Sequence, residues 1–201
     1  MAYDVIKIPS VNFSSREECP VKALVIHCIG LSIMDVINGL TKSTDDGGLG
    51  VSAHYFIPQI SGSDFISETG ISADLKYPDQ IPIIQFVEET DKAWHAGYSW
   101  WQDLNELPGC QNGLNPCSIG IEFHAPGYDD TTEPHTFAPY TDEQILIGAA
   151  LIKDIINRHS LTSSNLVRHS DISPMRPDGT YKTDPGPLFP WDRLQLQLFS
   201  A

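Results

Sequence analysis

Positive charge is scarce in this sequence: 12 Lys and Arg stand against 26 Asp and Glu, a formal net charge of -14. A polyphosphate would meet like charge and few cations able to displace its counterions, so nucleic acid is not an expected partner. Long apolar runs are missing too. No stretch approaches the roughly 20 apolar residues that cross a bilayer, and no membrane segment is expected. Met1-Ala2-Tyr3-Asp4 carries neither the basic nor the apolar part of a secretory signal. The expected location is therefore cytoplasmic, or periplasmic if a leader has been removed. Cysteine is sparse and lacks CxxC spacing. Cys19, Cys28, Cys110 and Cys117 read as reduced thiols, with a Cys110–Cys117 pair as the option in an oxidising compartment.

What is present is an ordinary globular composition, 41% hydrophobic and 19% charged over 201 residues, enough to offset the entropy of ordering one core. A single domain over residues 1–201, with its core at about 20–195, is expected. Lys22 to Cys28 is a short apolar run ending at His27, as in a buried central strand. Ser32 to Thr41 reads as a helix, and Ser52 to Ile57 as a second strand closed by Pro58. Two more strands are expected within 65–87, at Phe65-Ile66 and at Ile83 to Val87. Trp94 to Asn115 has no period and reads as a long surface loop. In Ser118 to Phe123, Ile119, Ile121 and Phe123 alternate with Gly120 and Glu122, the pattern of a strand with two unlike faces. Thr141 and Gln144 form a capping box for a long helix, and Leu166 to His169 is a last short strand. Strands and helices interleave, which predicts an α/β fold with a mixed central sheet flanked by helices.

His27 and His169 each sit at the exit of a short strand, and Asp184 follows in the turn-rich RHSDISPMRPDGTYKTDPGP (168–187). Two imidazoles and a carboxylate can hold zinc and leave a fourth position for water; the same residues can equally be hydrogen-bonded structural groups. Glu122 is a carboxylate in an otherwise apolar strand, so it has either a cationic partner or a cleft to face. In a cleft beside a metal it is a candidate general base. His54 reads as a buried hydrogen-bonding residue, and His124, His135 and His159 as surface residues. Tyr98, Trp100 and Trp101 form either a wall of a cleft or a patch packing the long loop.

VIHC (25–28), SAHYFI (52–57), KAWHAG (92–97), SIGIEF (118–123), VRHSDISP (167–174) and KTDPGPLFPW (182–191) occur in an order that resembles the zinc-dependent N-acetylmuramoyl-L-alanine amidases of type 2. The resemblance runs from about Lys22 to Trp191. It implies the type 2 amidase and peptidoglycan-recognition fold, one zinc ion held by His27, His169 and Asp184, Glu122 as catalytic acid/base, and Lys182 as a cation beside the reacting carbonyl. Trp94 and His95 would line the substrate groove. The implied substrates are muropeptides, cut at the amide between the lactyl group of N-acetylmuramic acid and L-alanine. Intact peptidoglycan, or binding without hydrolysis, are the alternatives.

Two features depart from that pattern. Arg176 is separated from Lys182 by Pro177 to Tyr181, an enlarged turn, and the segment before SIGIEF reads Gly113-Leu114-Asn115-Pro116-Cys117 where relatives often carry an arginine suited to a peptide carboxylate.

Overall fold

The structure is a computed structural model that describes residues 2–107, 109–175 and 179–199. In chain order its strands are β1 (Val5–Lys7), β2 (Phe13–Ser15), β3 (Ala23–Ile29), β4 (Tyr55–Ile57), β5 (Ile83–Gln85), β6 (Asp91–Ala93), β7 (Ser118–His124) and β8 (Leu166–Arg168). The helices are α1 (Ile33–Thr41), α2 (Gly62–Thr69), α3 (Asp142–His159), the short α4 (His169–Ile172) and α5 (Trp191–Phe199). Six strands form one sheet in the order β1-β5-β4-β7-β3-β8, and β2 pairs with β6 separately. The large sheet is mixed: β4 and β5 run antiparallel, while β4, β7, β3 and β8 are mutually parallel neighbours.

The alternation in β3 and β7 decides what each face carries. Leu24, Ile26, Ile119, Ile121 and Phe123 are fully buried with Ile145, Ile152 and Ile155 of α3 and Leu194 of α5, each worth about 1.5–3 kcal/mol relative to exposure. Gly148 lets α3 approach closely, since a Cβ there would stand 2.5 Å from the Phe123 ring. On the opposite face α1 and α2 pack over Phe56, Ile84 and Phe86. Ser32 caps α1 by accepting from the Asp35 amide, and Ile33, Val36, Ile37 and Leu40 recur at helical spacing on its buried side. No helix of the described residues is long and apolar enough to cross a membrane.

Several local expectations need correction. Phe65-Ile66 lies in α2, not in a strand: Ser61 caps that helix, and Gly70, at φ 70°, ends it. Thr141 does accept from the Gln144 amide, but the Gln144 side chain turns into the core and donates to the carbonyls of Ile57 and His124. The reciprocal half of the capping box is therefore absent. His124 is buried, hydrogen-bonded to the Leu31 carbonyl, and His159 pairs with Glu89. Cys110 has its sulfur 3.9 Å from that of Cys19, and all four cysteines are free. Part of the enlarged turn, 176–178, lies outside the described residues.

Candidate active site and metal centre

The carboxyl ends of β3, β7 and β8 point the same way, and a cleft of about 840 Å³ opens there, the place where parallel sheets generally receive ligands. His27 is near the end of β3, Glu122 near the end of β7, and His169 is the first residue after β8. The parallel register sets His27 directly beside Glu122. Asp184 arrives from a loop that is fixed at several points. The Ser170 amide donates to the Asp184 carbonyl, and the Tyr140 hydroxyl to that of Pro185. Tyr128 and Thr183 share a hydrogen bond at 3.0 Å. Gly186, at φ 81°, leaves room for the Phe137 ring, which a Cβ would meet at 2.6 Å.

His27 Nδ1 and His169 Nδ1 are 3.0 Å apart, and each lies 3.1 Å from Asp184 Oδ2. All three residues are buried. Tetrahedral ligands at about 2.0–2.2 Å from an ion are about 3.3–3.5 Å from one another, so this triangle is already close to that size. Two imidazole nitrogens and a carboxylate oxygen are also the donors that suit zinc, and lone pairs brought this close need a cation or protons between them. The residues therefore fit a divalent metal ion.

The electrostatics are consistent with that use. Burial, followed by the nearby His169, lowers the His27 pKa to about 4, which keeps the ring neutral. Burial acts to raise the pKa of Asp184, but the charge of His169 and the close approach of both imidazoles override it and hold the carboxyl well below its ordinary range. Glu122 goes the other way. Burial and the neighbouring Asp184 push it up to about 8, with Lys182 opposing. Its Oε2 has no hydrogen-bond partner among the described residues, as expected of a carboxylate that lines the cleft.

Lys182 lines the same cleft as Asp184, with its ammonium 3.6 Å from Asp130 Oδ2. Trp94 is on the cleft wall, 36% exposed, and its indole donates to Ser14 Oγ. His95 also reaches the cleft, but its nitrogens are 3.0 Å from His27 Nε2 and 3.1 Å from Ser118 Oγ. Burial and the adjacent His27 lower its pKa well below the usual value. His54 precedes β4, and its Nδ1 accepts from the Gly120 amide. Asp130 and Tyr128 were not legible as site residues; no spacing signals a loop residue brought to the cleft by topology. Arg16, likewise unsignalled, is buried and donates to the carbonyls of Glu89, Pro116 and Ser118, joining the N-terminal segment to the approach of β7.

Residues 17–187 match the family described as N-acetylmuramoyl-L-alanine amidase. The chain belongs to that family. Among amidases of known name it is similar to AmiD of Escherichia coli (strain K12), with 36% identity over 181 residues, covering 90% of this chain and 54% of AmiD. It is 31% identical over 199 residues to the 1,6-anhydro-N-acetylmuramyl-L-alanine amidase AmpD of Enterobacter cloacae, covering 98% of this chain and 92% of AmpD. The chain thus spans about half the length of one amidase and nearly all of the other. The structure of E. coli AmiD with the substrate anhydro-N-acetylmuramic acid-L-Ala-D-γ-Glu-L-Lys superimposes with a TM-score of 0.66 at 34% identity, covering 94% of this chain and 60% of that one. Amidases of this family thus share the mixed sheet flanked by helices.

Proposed function

We propose that residues 1–201 act as a single metal-dependent amidase domain. It hydrolyses the amide between the lactyl group of N-acetylmuramic acid and L-alanine, with soluble 1,6-anhydro-muropeptides as substrates in cell-wall recycling. His27, His169 and Asp184 would hold one zinc ion. When bound there, zinc supplies a water acidified to a pKa of about 7 and a Lewis acid for the carbonyl. The observation that carries the reading is the unpartnered Glu122 oxygen, set beside His27 by strand register.

Glu122 takes a proton from the attacking water and later gives it to the leaving nitrogen. The C–O bond forms, the C–N bond breaks, and the products are the muramic lactyl carboxylate and a peptide with a free alanine amine. Lys182 places its ammonium beside the oxygen on which charge develops. Trp94 offers an aromatic face to the sugar-peptide, and His95 offers the carbon edge of its ring. The AmiD complex with an anhydro-muramic peptide supports this substrate class.

The test is zinc quantification on the purified protein, with release of stem peptide from anhydro-muropeptides followed before chelation, after it, and after zinc is returned. Activity that follows zinc occupancy is expected. Full activity in a thoroughly chelated protein rules the reading out. Purified sacculi, run in parallel, separate recycling from cleavage of intact wall.

A further inference from the structure

Asp184 stands 3.1 Å from His27 Nδ1, and a carboxylate at that distance favours a proton on the very nitrogen that a metal would need bare. Something must hold the opposite tautomer. We infer that His95, itself oriented by Ser118, fixes His27 with its proton on Nε2, and so acts as a positioning residue for metal capture. The inference rests on the metal reading above.

The direction of the relay follows from counting protons. The Ser118 hydroxyl has one, and donates it to the Leu114 carbonyl at 2.7 Å. Its oxygen is then an acceptor for His95 Nε2 at 3.1 Å, which assigns the proton of a neutral His95 to Nε2 and leaves Nδ1 bare. Bare Nδ1 lies 3.0 Å from His27 Nε2 and accepts from it. With its proton committed to Nε2, His27 turns a lone pair on Nδ1 toward His169 and Asp184. Buried partners of this kind orient metal-binding imidazoles and raise their basicity.

The surroundings are built around the His95 ring. It packs closely against β7 at Gly120, where a Cβ would come within 2.4 Å of the ring carbon Cγ. The His95 and Ala96 amides both donate to Asn115 Oδ1, at 3.1 and 2.7 Å, so backbone and ring are both held. Among the described residues no carboxylate pairs with His95, and none competes for its protons.

Nitrogen-15 NMR of the metal-free protein reads the His95 tautomer, and chelator competition reads zinc affinity in His95→Ala, His95→Asn and Ser118→Ala. The expected results are a proton on His95 Nε2, zinc binding weakened about 10–100-fold in His95→Ala, and most of it restored in His95→Asn, whose amide oxygen replaces Nδ1. Circular dichroism checks that the variants are folded; if His95→Ala is not, Ser118→Ala decides, with weakened zinc binding expected there too. A proton on His95 Nδ1, or zinc affinity in the folded variant within about twofold of the parent, overturns the relay. Failure of the unsubstituted protein to take up zinc would instead sink the metal reading, and the tautomer would still be read.

Discussion

Glu122 and His27 are register partners on adjacent parallel strands, so the candidate acid/base and a candidate metal ligand leave the same face of the sheet side by side. A slip of one residue in β7 would turn Glu122 into the core beside Ile26 and send Ile121 or Phe123 to the cleft. Packing therefore enforces this side-by-side placement, because the slipped register would bury an unpaired carboxylate against α3.

Replacing Glu122 by Gln keeps size and shape and removes the proton acceptor. Turnover should fall by about 10²–10⁴-fold, while zinc content and melting temperature stay near those of the parent. Steady-state hydrolysis of an anhydro-muropeptide, with metal analysis of the same sample, measures both. Turnover within a few-fold of the parent would remove Glu122 from the chemistry.

The same carboxyl makes the metal-free protein sensitive to alkali. Its pKa rises from 4.5 to about 8 on folding, through burial and then Asp184, so its contribution is fully present below the unfolded value and is lost as pH climbs through about 8. Chelated protein should lose stability between pH 5 and 8.5 in excess of chelated Glu122→Gln. Thermal melts of the pair at both ends of that range give the difference directly, and parallel curves would show that Glu122 titrates normally.

Lys182 and Asp130 are 3.6 Å apart and both partly exposed, so their pairing adds at most about 1 kcal/mol to stability. Their importance should appear in catalysis. Lys182→Met should lower kcat about 10²–10³-fold with little change in KM, as for a group that acts on charge developing in the transition state. A rise in KM alone would make Lys182 a ground-state contact.

Those residues of the candidate site that sit on regular elements were legible in the sequence. His27 and His169 were legible because each ends a short apolar run, and Glu122 because it breaks an otherwise apolar face. Phe65-Ile66 misled because two adjacent apolar residues are too few to show a period. The helix signals Ser61 and Gly70 stood on either side of them. Gln144 misled because its two core carbonyl partners, at Ile57 and His124, exist only once the sheet has formed. Asp130 meets Lys182 through the path of two loops, a relation that no local pattern contains.

Glu89 illustrates the same gap away from the site and offers a test of what joins α3 to the sheet. Its carboxylate accepts from the Tyr55 hydroxyl, from Arg158 and from His159, which connects the segment after β5 to the last turn of α3. Burial acts to raise its pKa, but the hydrogen bonds from Arg158, Tyr55 and His159 outweigh it and bring the value down to about 2. A depressed carboxyl stabilises above its unfolded pKa, and the contribution disappears as pH falls through about 2. Because Glu89 is partly solvent-screened, the loss in Glu89→Gln should be about 1–2 kcal/mol at pH 7. It should shrink as the parent is acidified from pH 5 to 2.5. Urea unfolding of both proteins across that range measures it, and a constant gap would mean that shape, not charge, is what Glu89 contributes.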